Sequence, residues 1–384
     1  MKPARIVIAG AGPVGLALAC ACRDLEVTVV DGVAARADPL PDEYDLRIFA
    51  LSAGSREFLR GIGAWDRLDA SRVAVVRRME VFGDRGATLS FGGRSGAALA
   101  WIVEAGRLSQ ALEAQAATRP HVTIMRGREA VQFEAAAQGS SIGLQGGARI
   151  VADLLVGADG PDSPVRAALD FGAHARSYDE SAIVANFETE KKPGDCARQW
   201  FREDGVLAWL PLPGRRMSIV WSAPSGYAQE LLALDAAALE HRVRDAGGAA
   251  LGNLKRISPV ASFPLRLIRV ARTVAPGVAL VGDAAHAVHP LAGQGVNLGF
   301  QDARLLAAEL AARSPLERPG DLRLLRRYAR ARREDVAAMQ FVTNGLDRLF
   351  AAPGARASWL RNTGLRLFDA QPWAKAALAG RAMR

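Results

Sequence analysis

Lysine is nearly missing from this sequence: only Lys2, Lys191, Lys192, Lys255 and Lys375 break an otherwise all-arginine set of 49 basic residues. Cysteine is scarce too, with Cys20, Cys22 and Cys196 and no CxxC. Three thiols cannot all pair, so they read as buried or unreactive groups in a reducing compartment rather than as a disulfide framework. No stretch reaches the roughly eighteen uncharged apolar residues that a membrane-spanning helix needs. Metal-finger spacing is absent, and no aromatic residues are set among the basic ones, which removes the common nucleic-acid modules. Internal repeats and low-complexity segments are also missing.

What is present suits an ordinary folded protein. The 384 residues allow two or three domains, half of them are hydrophobic, and the mean hydropathy is close to zero. Arg plus Lys exceed Asp plus Glu by 49 − 40 = +9. That balance permits contact with anionic lipid or nucleic acid without requiring it, and with so much Ala and Gly it reads partly as genome composition.

The N-terminus reads βαβ. Arg5–Ala9 is a short β-branched run, Gly10-Ala-Gly-Pro-Val-Gly15 a turn, Val14–Arg23 a small-residue helix, and Glu26–Val30 a second strand ending at Asp31. Lys2 and Arg5 ahead of Ile6–Cys22 mimic a signal peptide, but the strand, turn and helix account for the run better. Apolar or alternating runs at 79–82, 209–212 and 217–221 predict a largely antiparallel sheet, while 152–159 reads as another buried strand. The expected architecture is α/β: a discontinuous nucleotide-binding domain (1–75, 98–175 and 270–336), an antiparallel-sheet domain (76–97 and 176–269) and a C-terminal helical region (337–384). Over 322–333 the helical period puts Leu322, Leu325 and Tyr328 on one face and Arg323, Arg326 and Arg330 on another.

Three motifs carry chemistry. In the first, Gly10 permits the tight turn, Gly12 lets the backbone approach a pyrophosphate, and Gly15 lets the helix pack on the strand; Pro13 and Val14 open that helix. Asp31, 21 residues after Gly10, can accept from a ribose 2′-hydroxyl, which favours NAD or FAD over NADP. The second motif, Asp153-Leu-Leu-Val-Gly-Ala-Asp159-Gly160, delivers Asp159 at a strand's carboxyl end, where it is either a ligand-facing acid or a helix cap. The third runs from Gly277 to Asn297. A strand ends at Gly282-Asp283, and a loop containing Pro290, Gly293 and Gln294 leads into a helix opened by Gly295, Val296 and Asn297. Asp283 can hold a polyol, and the loop amides with the helix N-terminus form a positive concavity. His286 and His289 lack the further ligands of a metal site, so no metal is expected.

These motifs, in this order, resemble the single-component FAD-dependent aromatic hydroxylases, and most closely the ubiquinone-biosynthesis polyprenylphenol hydroxylases. Arg47-Ile-Phe-Ala-Leu-Ser52, Gly63-Ala-Trp65, Trp101-Ile-Val-Glu104 with the following Arg107, and Asp204–Pro213 extend the likeness over essentially the whole chain. The resemblance implies a non-covalent FAD. Arg47 and Arg107 would lie at its phosphates or beside its ring; taken alone, each reads as a surface ion-pair partner. It places Asp159 in a motif shared by FAD and nicotinamide binding, Asp283 on the ribityl chain, and 290–297 along the isoalloxazine. Asp31 in place of the commoner Glu, together with Asp162, Pro164 and Gln199, departs from the pattern and weakens transfer of the nicotinamide contact.

The implied chemistry is reduction of the flavin by NADH or NADPH, addition of O₂ at flavin C4a to give a hydroperoxide, and transfer of its distal oxygen to a phenolic ring. Such a reaction needs an apolar, water-excluding pocket and few catalytic side chains; no base is identifiable. Trp200, Trp209 and Trp221 are the candidates for facing substrate. A second GxGxxG, expected of two-dinucleotide reductases, is absent, as is the Trp-x-Trp-x-Ile-Pro segment of flavin halogenases. The alternatives are a hydroxylase of a small soluble aromatic compound and a non-catalytic flavoprotein subunit. The expected partner is a prenylated phenol presented by a membrane surface or lipid-carrying protein, at a cytoplasmic or peripheral inner-face location. Arg323, Arg326, Arg327, Arg330, Arg332 and Arg333 precede apolar residues (Phe341, Leu346, Leu349, Phe350, Trp359, Leu360, Leu365, Phe368) at roughly helical spacing. These helices meet a membrane, a partner or their own domain.

Overall fold

The computed structural model describes residues 3–34, 43–84, 86–92, 96–287 and 295–351, with side chains described at all of these except 174–178 and 340–351. Among them are eight α-helices: α1 (Pro13–Ala21), α2 (Ala53–Gly61), α3 (Ala105–Ala117), α4 (Pro164–Ala168), α5 (Ser225–Ala233), α6 (Ala236–Ala246), α7 (Gly295–Ala311) and α8 (Leu322–Ala351).

A six-stranded sheet carries the glycine turn. Its order is Val274–Ala275, Val278–Leu280, Leu154–Gly157, Arg5–Ala9, Glu26–Asp31, Val122–Arg126, and only the first pair is antiparallel. Ile8 lies between Val29 and Val156. Both faces are covered, which is why the strands read as continuous apolar runs. Ile6 and Ile8 pack with Leu16, Leu108, Phe300 and Leu325 of α1, α3, α7 and α8. Val7 and Ala9 pack with Ile142 and Leu144 of a three-stranded antiparallel sheet on the other side. The apolar run read as one strand over 152–159 divides: Arg149–Ala152 joins that small sheet, and Leu154–Gly157 enters the large one. Asp153 between them accepts from Arg5 N at 2.8 Å.

A second, nine-stranded sheet is antiparallel except where Cys196–Arg202 pairs with Arg78–Phe82. On one face Ile183, Leu207, Met217 and Ile219 pack under α5 and α6. The opposite face meets a three-stranded sheet, Ile48–Leu51, Ala100–Glu104 and Ala74–Val76, through Leu210, Leu212, Ile102 and Val76. The helix expected over 322–333 continues unbroken to Ala351, across position 336, because no proline interrupts it before Pro353.

Candidate functional site

The fold itself requires two of the three glycines of the first motif. Gly10 has φ +104°, and a Cβ there would meet Ala158 O at 2.3 Å. At Gly15 a Cβ would meet Gly10 O at 2.1 Å. Gly12 differs: its backbone is extended, with φ −74° and ψ 176°, and a Cβ would meet nothing within 4 Å. The fold therefore does not itself require glycine at position 12. The first backbone bond of α1 is Leu16 N to Gly12 O, and no side chain caps this end. The amides of Val14 and Gly15 thus sit at an open helix N-terminus suited to an anion. Val14's side chain is structural: it fills the room left at Gly282 and Gly299, where added Cβ atoms would meet it at 3.3 and 2.5 Å.

Asp31 accepts from Ala11 N at 2.7 Å and Val33 N at 2.8 Å, and Arg126 lies 3.3 Å from it. Arg126 also binds Glu113 at 2.6 Å and Ala11 O at 3.1 Å. It closes this end of the cradle from the far strand of the sheet, and nothing in its local sequence points to it.

Asp283 follows the strand Val278–Leu280 in a single 3₁₀ turn. Burial pushes its carboxyl up, against the lowering charges of Arg47 and His286. No hydrogen bond reaches it from the described residues, so its oxygens are left open to hydroxyl donors. The N-terminus of α7 is adjacent, since a Cβ on Gly295 would lie 4.0 Å from Asp283 Oδ1. Asn297 ties α7 to the neighbouring strand, accepting from Ser52 N at 3.0 Å and donating to Ala50 O at 2.9 Å.

The turn that presents Asp283 is held from behind. Asp302 of α7 is fully buried and accepts from Gly282 N at 2.8 Å; the same Oδ2 lies 2.7 Å from His286 Nε2. Its Oδ1 accepts from Arg332 Nε of α8 at 2.6 Å. Burial alone would raise this carboxyl, but the pairing with His286 and Arg332 holds it below the usual carboxylate range. Tyr328, one turn earlier on α8, donates to Leu280 O at 3.0 Å. Arg166 donates to Ala284 O at 3.0 Å and joins the second motif to the third.

Comparison with known proteins reads the same features. The profile described as FAD binding domain matches residues 4–343. The 3-demethoxyubiquinol 3-hydroxylase of Escherichia coli is 35% identical over 380 residues, covering 95% of this chain and 94% of its own. The human ubiquinone biosynthesis monooxygenase COQ6 is 31% identical, with 95% and 89% covered. The chain belongs to the FAD-dependent monooxygenases. Solved relatives under 25% identity share this fold: Pseudomonas aeruginosa PqsL in complex with 2-aminobenzoylacetate has a TM-score of 0.78 at 21% identity, covering 94% of this chain and 99% of its own. Klebsiella pneumoniae HpxO complexed with FAD and uric acid has 0.77 at 18%, covering 99% and 97%.

Other residues singled out in the flavoprotein's sequence have partners of their own within the fold. Asp159, whose amide lies beside Gly10, accepts from Ser163 Oγ and from Val165 N at 3.0 Å, while Ser163 caps α4 by accepting from Arg166 N at 3.0 Å. Arg107 is 3.1 Å from Glu104, a carboxylate 1% exposed that also binds Arg72 at 2.8 Å. Glu104 needs cations to be buried at all, and this demand draws Arg107 into an ion pair; it lines a cavity that the glycine turn does not border. Trp209 and Trp221 are 2% and 0% exposed, under α5 and α6. Leu207 pairs with both Trp200 and Trp221, so these rings share the helix-covered face; Trp200 stacks on Phe82 at 5.2 Å and abuts Trp209 at 4.8 Å. Trp209 and Trp221 are core residues and Trp200 is half-buried against them, while the opposite face of the sheet is turned toward the strand that follows Arg47. Pro290, Gly293 and Gln294 lie outside the described residues, as does His289.

Proposed function

We propose that this flavoprotein hydroxylates the aromatic ring of a polyprenylated phenol in ubiquinone biosynthesis, consuming O₂ and NADH or NADPH. The observation that carries this reading is the sheet face opposite the tryptophans. Val206, Ala208, Leu210 and Val220 alternate there with fully buried neighbours yet stay partly exposed. Val220 sits between Ala208 and Val184, a short apolar row flanked by Ser218 and Ser222 that suits an aromatic ring. Bound FAD supplies the redox and oxygen-transfer chemistry.

The chain's own contributions are binding, orientation and exclusion of water. The open α1 N-terminus and the free side of Gly12 take the diphosphate, Asp31 the adenosine ribose, Asp283 the ribityl hydroxyls, and the first amides of α7 the pyrimidine edge of the ring. FAD is held without a covalent bond. Purified holoenzyme is expected to oxidise NADH or NADPH faster when a prenylphenol is added and to form the hydroxylated ring. Stimulation only by a small soluble aromatic acid would transfer the assignment to that substrate class. No stimulation by any phenol would leave a non-catalytic flavoprotein.

Delivery of a prenylated substrate bears on α8. No helix among the described residues is long and apolar enough to cross a membrane. Two of the arginines expected at a lipid surface are committed internally: Arg332 to Asp302, and Arg327 to Glu309 at 2.7 Å and Glu317 at 3.0 Å. Arg323, Arg326, Arg330 and Arg333 remain exposed on one side of α8. We assign them to an anionic membrane surface, each contributing about 1 kcal/mol. Full-length protein is expected to float with anionic liposomes at low salt and to sediment when all four are replaced by glutamine; flotation unaffected by that change would remove α8 from the interface. The apolar residues from Phe341 onward lie outside the described side chains.

A further inference from the structure

Among the described residues the one glycine-turn cradle is assigned above to FAD, so a second dinucleotide is left to side-chain recognition. A cavity of about 460 Å³ lined by Tyr44, Arg72, Arg107 and Arg216, with Asp69 on its rim, has the chemistry for it. Tyr44 lies under two guanidiniums, Arg72 at 3.7 Å and Arg216 at 5.4 Å from the ring centre. Arg72 and Arg107 are neutralised by the single buried carboxylate Glu104, and Asp69 is turned to Ser71, accepting from its amide at 2.9 Å and its hydroxyl at 2.7 Å. Arg216 differs from both: no carboxylate pairs with it among the described residues. Glu188 lies opposite Arg216 in the sheet register without an ion pair between them, so Arg216 is the guanidinium of this cluster that no salt bridge holds among the described residues.

The cavity's place in the fold connects it to the flavin cradle. Tyr44 and Arg47 are three residues apart, at most about 10 Å along an extended chain. The linking segment is pinned: Asn186 donates to Tyr44 O at 3.3 Å and Asp45 O at 3.1 Å, and Asp45 accepts from Arg47 N at 3.1 Å and Gly106 N at 2.7 Å. Arg47 is the cation whose charge acts most on Asp283. A bare phosphate would leave most of the volume empty; a nucleoside phosphate, with its ring against the aromatic and guanidinium planes, would use it.

We propose that this cavity binds the adenosine-phosphate half of NADH or NADPH, with Arg216 as the principal phosphate ligand. The proposal rests on the hydroxylase reading above, and its test keeps the two apart. FAD-loaded wild type and Arg216→Ala are mixed anaerobically with increasing NADH or NADPH, with phenol present, and bleaching of the flavin is followed. Arg216→Ala is expected to raise the apparent Kd for the nucleotide about tenfold or more, with limiting reduction rate, flavin content and melting temperature unchanged. Arg216→Lys should recover part of the loss, and inorganic pyrophosphate should compete with the nucleotide in wild type and far less in Arg216→Ala. An unchanged Kd in Arg216→Ala overturns the cavity assignment and leaves the hydroxylase reading standing. A wild-type flavin that neither nucleotide reduces overturns both.

Discussion

Gly12→Val is expected to fold normally and to hold no FAD. Position 12 has extended backbone that valine adopts readily, and an added Cβ there meets nothing within 4 Å. Replacing an N-terminal glycine cap by valine costs about 1 kcal/mol or less, too little to unfold the domain. The two methyls would occupy the space through which a pyrophosphate reaches the first amides of α1. Purified variant protein should be colourless, show the wild-type circular dichroism spectrum and melt near wild-type apoprotein. A yellow variant with normal flavin content would take the diphosphate away from this turn. Gly10 and Gly15 do not offer the same test, because added Cβ atoms strike backbone oxygens at 2.3 and 2.1 Å and the fold itself would fail.

Arg332→Met should destabilise the whole nucleotide-binding core. Arg332 is 4% exposed and Asp302 0%, so the substitution leaves a buried carboxylate without its guanidinium partner. Removing one partner of such a pair costs about 3–5 kcal/mol. Because Asp302 also holds Gly282 N, loosened FAD binding should accompany the drop in denaturation midpoint. The sign with pH follows from the depressed carboxyl of Asp302: its contribution is complete above the ordinary carboxylate range and is lost as pH falls through its lowered native value. The gap in stability between wild type and variant should therefore narrow in acid. A variant with an unchanged midpoint at neutral pH would show that Arg332 is dispensable for the buried acid.

The tryptophans show where sequence reading stops. Alternation along 205–212 and 216–224 predicts that neighbours point to opposite faces, but periodicity carries no information about which face receives a helix. The register settles it, by aligning Trp200, Leu207 and Trp221 across three strands beneath α5 and α6. Large aromatic rings then serve burial, and smaller Ala208 and Val220 are left to line the other side.

The sequence by itself determined the parts of this protein that act through local backbone. The strand, glycine turn and helix from Arg5 to Ala21, Asp31 at the end of the next strand, and Gly282-Asp283 leading to Gly295 are short-range patterns, because recognition by amides and a helix end requires contiguous residues. Tertiary structure decided everything that depends on partners distant in the chain. Arg126 reaches Asp31 across 95 positions, Arg332 reaches Asp302 across 30, and Asn186 pins Tyr44 across 142. Arg107 is bound to Glu104, and Arg216 lies over Tyr44 with no ion pair among the described residues. A charge's role is set by what desolvates it and what opposes it, and those neighbours come from other elements of the fold.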